Sequence, residues 1–393
     1  MAYFFNVNAY AADYSDESIA AYRKFLVGKY GGLAGINGAY STRHDDIGVV
    51  EPPRRFEATS RQLIPWYADW AEYRERYLVT SMDRLGQMMR ERGLNGIALF
   101  HNYPHPLGPG GAGSGFTTPF NLTALEDKLD FVGFDIYSRK ELYTHVKTVV
   151  SYVVGTSRYP YIPEFIAGVW PWYLNPGDLK DEEFVTKAAL MHGIRGFSRY
   201  MLVERDRWLD SPVRRDGRER ADKVGVFGKV NSLLQEAEYF RFHREAEVLL
   251  LANREYDRLE AASVLVSFPG DFLETPSGFS EYAGPLTISE DTLGFDQPIQ
   301  LVKGTWFSAF ESALAASGLG YLLSDTALAP ERWTGRKVVV VATLDYLDAS
   351  LQQALLAYAR AGGTVVIGPK APVLDSLMQP CTVLADALRR LRV

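Results

Sequence analysis

Glu164 is the residue of this 393-residue sequence with the strongest case for chemistry. It ends an apolar run that begins at Tyr159, and Trp170, Trp172 and Tyr173 follow shortly after it. Parallel strands of a barrel present reactive groups at their C-terminal ends, and aromatic rings offer flat apolar faces. Because a sugar ring has matching faces, the stretch predicts a carbohydrate cleft around one acid. The alternative is a structural ion pair or a helix cap at Glu164, with the tryptophans in the core.

Further candidates stand at or after the ends of the predicted strands. Such ends meet at one edge of a parallel sheet, so these side chains are expected to surround Glu164. Each has a structural alternative: a helix cap for Asp135, a loop position for His101, core for a tryptophan. Arg199, with Arg205 and Trp208 beyond it, could hold either Glu164 or a substrate. The candidate substrate-binding residues of this group are His101, Asn102, Asp135, Tyr137, Trp170, Trp172 and Arg199.

Composition excludes several classes of function. The net charge is −6 with acids and bases interspersed, which argues against a nucleic-acid partner. A single cysteine, Cys381, excludes an internal disulfide framework and a cysteine-built metal site. The histidines show no ligand spacing. The sequence therefore predicts neither a metal nor a cofactor.

No targeting feature is visible in the sequence. The first residues, MAYFFNVNAY, lack a charged n-region and a cleavage site, and no apolar run has the length of a membrane span. We therefore expect a protein without a membrane partner, and the single cysteine favours a cytoplasmic location. Hydrophobic residues make up 47% of the chain, enough for two or three sizeable domains.

Strands and helices alternate in the first part of the chain. Five βα units are legible, and alternation of this kind indicates a parallel sheet. Ser15 is the predicted N-cap of the first helix, which Gly31 ends, and residues 31–62 are predicted to be mostly loop. The predicted strands are 2–7, 96–102, 131–137, the Glu164 strand and 196–203; the predicted helices are 15–30, 65–92, 122–129, 140–154, 181–192 and 223–242.

From about residue 246 the pattern changes to a second α/β unit. Strands are predicted at 248–252, 263–268, 321–324, 337–342 and 364–367, with helices near 306–316 and 350–360. The run KVVVVA at 337–342 is apolar throughout and should be the central strand. No acid pair or glycine-rich phosphate loop follows these strands. The predicted fold is thus a (β/α)8 TIM-type barrel portion over 1–245, followed by a flavodoxin-like doubly wound domain over 246–393.

The strand count conflicts with a closed barrel. A closed barrel needs eight strands, whereas the sequence predicts five before the second domain. An apolar strand at 2–7 would make an aggregation-prone edge. We therefore expect partner strands from another chain, or from further sequence of a longer protein.

At this point the order of motifs resembles glycoside hydrolase family 42 β-galactosidases and, more distantly, family 35. The likeness begins at the family's fourth barrel strand and covers most of the chain. It rests on Val7-Asn8-Ala9-Tyr10, on Tyr22-Arg23-Lys24-Phe25-Leu26 with Lys29-Tyr30-Gly31, on Asp135-Ile136-Tyr137, on Pro163-Glu164-Phe165 with Gly168 and Trp170, and on the second domain.

The resemblance implies roles for several residues. Glu164 would be the nucleophile of a retaining β-glycosidase, Asn8 would bind the sugar hydroxyl beside the anomeric carbon, and Tyr10 would line the same cleft. The family's general acid/base glutamate is replaced by Ala9, which cannot donate a proton. A second domain of this kind contributes to trimer formation in the family.

Three hypotheses follow from these residues. The first is a β-galactosidase inactivated or impaired by Ala9, with a glycoside or oligosaccharide as substrate. The second is a non-catalytic carbohydrate-binding protein. The third is an assembly subunit whose barrel a partner chain completes.

Overall fold

The computed structural model describes residues 9–10, 12–103, 120–168, 178–206, 208–263 and 289–390. The predicted strand 2–7, Asn8, and the aromatic residues Trp170, Trp172 and Tyr173 lie outside these ranges, as does most of the predicted strand 263–268.

Helices and strands alternate along the described chain. The helices are α1 (Asp16–Tyr30), α2 (Leu33–Tyr40), α3 (Ile64–Glu91), α4 (Leu122–Glu126), α5 (Tyr143–Thr156), α6 (Leu179–Met191), α7 (Ala221–Glu236), α8 (Arg254–Ser263), α9 (Ile299–Ser317), α10 (Ala349–Arg360) and α11 (Val383–Arg390). The strands are β1 (Tyr161–Ile166), β2 (Gly196–Tyr200), β3 (Val248–Ala252), β4 (Tyr321–Asp325), β5 (Val338–Thr343) and β6 (Thr364–Pro369).

The first helix begins and ends where its capping residues predict. The Ser15 side chain accepts a hydrogen bond from the Ser18 backbone N–H, and Gly31 closes the helix with φ +73°. The buried stripe of α1 packs against Trp70 and Tyr73 of α3. The prediction of α1 is therefore confirmed, as is the long helix α3.

Several local predictions were wrong. Helix α2 occupies part of the segment that was predicted to be mostly loop. Its two glycines lower its helix propensity, but its apolar residues pack into a buried cluster and stabilise the helix. Residues Arg254–Ser263 form α8, so Ser263 ends a helix and does not begin a strand. Helix α7 ends at Glu236, short of the predicted 242, and β2 ends at Tyr200.

Four neighbouring parallel segments position the candidate site. Bridges join Phe100 to Phe131, Val132 to Pro160 and Ile136 to Phe165, and β1 pairs in parallel with β2. Chain order and spatial order therefore agree, as successive βα units require. One face of these segments packs on helices α5 and α6 through a buried core that includes Ile136, Ile162, Phe165, Val149 and Val185. We call the opposite face the site face.

The second sheet is wholly parallel, in the order β4-β3-β5-β6. The first strand of this unit lies between the second and the third, which is the strand order of a doubly wound sheet. The segment 337–342, predicted as central, corresponds to β5, which pairs with β3 and β6. Both β3 and β5 are apolar runs with nearly every residue buried, as inner parallel strands are.

The two parts of the chain share a core and a buried ionic network. Helix α5 packs against β4, and α3 packs against α8. The Arg254 guanidinium lies 2.7 Å from Asp325 and 3.3 Å from Glu75, and it donates to the Phe120 carbonyl at 2.8 Å. The Tyr152 hydroxyl also donates to Asp325, at 2.5 Å. The domain boundary near residue 245 remains a prediction.

Within the described ranges, no helix combines the length and the apolar character that crossing a bilayer requires.

Candidate active site

The Glu164 carboxylate is held by donors from two neighbouring segments. Asn102 Nδ2 donates to Glu164 Oε1 at 2.8 Å, and the Tyr137 hydroxyl donates to Glu164 Oε2. Each oxygen thus has its own donor, and the two donors fix the plane of the carboxylate. Three predicted site residues, which lie far apart in sequence, meet at the C-terminal ends of parallel segments.

A β-bulge aims Glu164 at the site face. Ile162 of β1 pairs with Phe197 of β2, and the next pair is Phe165 with Arg199. Two residues of β1 therefore lie between these pairs, whereas only one residue of β2 does. One extra residue on β1 is the definition of a bulge. Ile162 and Phe165 consequently both face the helices, with 0% exposure each. Strict alternation from Ile162 would have placed Glu164 on the helix side as well.

Asp135 is a second acid beside Glu164. It is buried, with 4% exposure, and it shares the site face with Tyr137 because side chains alternate along the segment. Burial, and then the charge of Glu164, raise the pKa of Asp135 to about 8, while a backbone hydrogen bond from Glu164 partly opposes that rise. Asp135 is therefore largely protonated at neutral pH.

Three aromatic rings form a wall next to this pair of acids. The Trp208 ring lies edge-on to Tyr137 and to Tyr200, with centroid distances of 5.8 and 5.2 Å. Its indole N–H donates to the Ala167 carbonyl at 3.0 Å, which orients the ring. Tyr200 was not among the predicted site residues. The signal that could have found it is its position at the end of a strand, which the prediction extended to residue 203.

A buried ion pair supports the backbone just after β1. Glu182 Oε1 accepts the Gly168 N–H at 3.0 Å and contacts Lys223 Nζ at 2.8 Å. Lys223 also lies 2.9 Å from Asp210. Burial raises the pKa of Glu182, and Lys223 opposes that rise. This network anchors the chain where it leaves β1 and approaches Trp208.

Arg199 lies on the other side of the sheet from Glu164, so the expectation that it would hold Glu164 or a substrate was wrong. It pairs in register with Phe165, whose side chain faces the helices. Its guanidinium donates to the Ile166 carbonyl at 2.9 Å and to Thr186 Oγ1 at 2.7 Å, and it lies over the Phe227 ring. Burial lowers the pKa of Arg199 to about 10. The physical reason is the alternation of side chains along β2.

The remaining predicted residues have the following surroundings. Ala9 is fully buried among α1, α2 and α3, and its carbonyl accepts the Trp70 indole N–H at 2.8 Å. The Tyr10 hydroxyl donates to the Ala262 carbonyl at 2.6 Å. The His101 ring is exposed and stacks on Tyr103. The roles assigned to these residues remain predictions.

Comparisons with solved structures show the fold. A β-galactosidase from the psychrophilic Marinomonas ef1 superposes with a TM-score of 0.66 at 16% identity, covering 96% of this chain and 56% of that one. A catalytic mutant of a GH42 β-galactosidase from G. stearothermophilus gives a TM-score of 0.66 at 14% identity, covering 93% and 51%. The chain therefore shares the TIM-barrel and second-domain fold of the matched parts of these structures, in agreement with the predicted fold class.

Sequence comparisons give two further likenesses. Residues 285–393 match the family described as "GLMA-like, second domain". A curated Beta-1,2-glucosyltransferase from Ignavibacterium album is 21% identical over 412 residues, covering 95% of this chain and 52% of the relative. The chain thus spans about half the length of the proteins that it resembles.

Proposed function

We propose that this chain carries the nucleophile of a retaining enzyme that acts on β-linked sugars, with a β-galactoside as the expected substrate. The observation that carries the proposal is the Glu164 carboxylate, held by Asn102 and Tyr137 at the ends of adjacent parallel segments. Catalytic acids of barrel enzymes occupy such positions. The fold of β-galactosidase structures supports the same chemistry.

Glu164 would attack the anomeric carbon and form a glycosyl ester as the leaving group departs. Departure of an ordinary alcohol requires a proton, which the family's acid/base glutamate would donate. If Ala9 stands at that position, glycosides with poor leaving groups should react roughly 10²–10⁴-fold more slowly. Glycosides with good leaving groups should still form the ester.

Azide provides a direct test. A 2,4-dinitrophenyl β-galactoside loses dinitrophenolate without protonation, and azide can open the resulting ester without a general base. We expect azide to accelerate turnover at least about tenfold, because Ala9 in the acid/base position would supply no base catalysis. The product should be β-galactosyl azide, since two inversions give retention. The variant Glu164→Gln should give none.

Two outcomes would contradict the proposal. One is α-configured azide, which would mean a single displacement. The other is binding of the glycoside, measured by calorimetry, without any azide product, which would favour the non-catalytic carbohydrate-binding alternative.

A second candidate is glucosyl transfer, favoured by the likeness to the curated Beta-1,2-glucosyltransferase. Here a sugar hydroxyl, in place of water, would open the ester. The same assay with a 2,4-dinitrophenyl β-glucoside and glucose as acceptor separates the two functions. Transfer predicts a disaccharide product, whereas a galactosidase predicts preference for the galactoside in the azide reaction.

The partner of this chain is also a proposal. A homo-oligomer, a trimer by resemblance, and a partner chain that completes the barrel predict different masses in native mass spectrometry. A stable monomer of one chain type would contradict both.

A further inference from the structure

Asp135 is placed where a charge would be poorly tolerated. The Ile136 N–H, one residue further on, donates to the Glu164 carbonyl at 2.8 Å, so the two acids are neighbours across adjacent segments. Asp135 is 4% exposed, and its Oδ1 has no hydrogen-bond partner among the residues that the structure describes. The backbone N–H of Glu164 compensates the carboxylate of Asp135 only in part, and a buried carboxylate with one oxygen unpartnered is disfavoured.

The charge of Glu164 increases this penalty, and two tyrosines complete the surroundings of Asp135. Glu164 faces it from β1, and the Tyr137 phenol follows it on the same segment. On the neighbouring segment, the Tyr103 carbonyl accepts the Asp135 N–H at 2.8 Å. Asn102 and Tyr137 direct their donors at Glu164, which therefore takes the negative charge of the pair. Two adjacent carboxyl groups cannot both ionise cheaply.

We propose that Asp135 is a positioning residue that acts through Glu164, an inference that rests on the proposed role of Glu164. Its carboxyl group stays protonated in the working site, and this lets Glu164 remain the ionised partner held by Asn102 and Tyr137. Loss of the Asp135 proton places a second negative charge next to Glu164 and repels it from its two donors.

The first arm of the test follows the formation of the ester. In the full chain, a 2,4-dinitrophenyl 2-deoxy-2-fluoro-β-galactoside reacts with Glu164 as dinitrophenolate leaves with the bonding electrons, and the fluorine slows breakdown of the ester. Mass spectrometry of the digested protein measures labelling of Glu164 from pH 6 to pH 9.5.

We expect the labelling rate to fall at least about threefold between pH 7 and pH 9 in the unaltered protein, because Asp135 ionises in that window. In Asp135→Asn the ratio of the rates at these two pH values should be close to one. Asp127→Asn, which changes an exposed acid before the same segment, should keep the unaltered profile. An unchanged alkaline decline in Asp135→Asn would overturn the proposal.

The second arm does not depend on activity. Infrared difference spectra of protein containing ¹³C-carboxyl aspartate, with Asp135→Asn as the reference, report the protonation of Asp135 directly. We expect a midpoint near pH 8, and a midpoint roughly one pH unit lower in Glu164→Gln, which removes the neighbouring charge.

The two arms separate the proposals. Absence of label on Glu164 in every protein contradicts the assignment of the nucleophile, while the infrared titration still decides whether Asp135 and Glu164 are coupled. A midpoint near the ordinary value for aspartate, or one that is the same in Glu164→Gln, overturns the role given to Asp135.

Discussion

Lys223 Nζ lies 2.8 Å from Glu182 Oε1, and the pair is almost completely buried beneath the chain that leaves β1. Because Glu182 also accepts the Gly168 N–H, the pair connects helices α6 and α7 to the edge of the site. Removal of Lys223 leaves Glu182 buried without the cation that it contacts, with the Gly168 N–H still donating to it.

Lys223→Met should therefore destabilise the protein by about 3–5 kcal/mol. Lys229→Met is the matched control, since Lys229 is an exposed lysine on the same helix, and it should change stability by less than about 0.5 kcal/mol. Thermal unfolding at pH 7 measures both. Equal melting temperatures for the two variants would show that the buried pair contributes nothing.

Tyr137→Phe should slow ester formation at Glu164 by roughly tenfold or more. The variant removes a hydrogen bond to a charged group, which is worth about 1.5–3 kcal/mol, while keeping the ring beside Trp208. Tyr77→Phe, at an exposed tyrosine of α3, serves as the control. The measurement is the release of dinitrophenolate in a single turnover. A rate equal to that of the control would mean that the Tyr137 hydroxyl does not hold the nucleophile.

Gly168→Ala should disturb the site through both backbone and packing. Gly168 has φ +96°, and an added Cβ would lie 2.8 Å from the Leu209 carbonyl oxygen and 2.9 Å from Trp208 Nε1. Gly217→Ala is the matched control, with φ +84° and open space around the added carbon. Both variants carry backbone strain, of about 1 kcal/mol, and only the first also displaces Trp208. Tryptophan fluorescence should change in Gly168→Ala and stay unchanged in Gly217→Ala.

Asp135→Asn should stabilise the protein at neutral pH. The pKa of Asp135 is about 8 in the folded chain and about 3.9 when unfolded, so folding takes up a proton between these values. The contribution of Asp135 to the free energy of unfolding is therefore fully present below about pH 4, and it is lost as the pH rises towards 8. The asparagine variant lacks that loss and should be more stable by about 1–4 kcal/mol at pH 7, with no difference near pH 4. Melting curves at pH 5 and pH 7.5 check the trend, and a difference that shrinks as pH rises would have the wrong sign.

Ala9→Glu should restore hydrolysis of glycosides with poor leaving groups if position 9 is that of the acid/base. We expect a gain of roughly 10²-fold or more on a methyl β-galactoside, because general acid catalysis returns. Ala12→Glu, three residues further along the same segment, is the control for a new carboxylate. A well-folded Ala9→Glu protein with no gain would remove Ala9 from the site.

Local structure followed closely from local residues. Ser15 and Gly31 predicted the ends of α1, because a cap depends on groups within one turn. The apolar run at 337–342 also predicted an inner parallel strand. A strand that is buried on both faces needs apolar residues at nearly every position, and such a run is visible in the sequence alone. Helix α8 was not predicted, because its charged side chains, including Arg254 and Arg258, are typical of a solvent-exposed segment. In the structure these two arginines are buried and form ion pairs with Glu75.

The sequence by itself determined that an acid at position 164 and polar residues at 102, 135 and 137 stand at strand ends, because apolar runs and their endings are local properties. Only the tertiary structure decided which face each side chain takes. Because of the bulge between Ile162 and Phe165, the Glu164 side chain lies on the site face. Regular pairing places the Arg199 side chain on the helix side. The face depends on the register between strands, and register is set by contacts between segments that are distant in sequence.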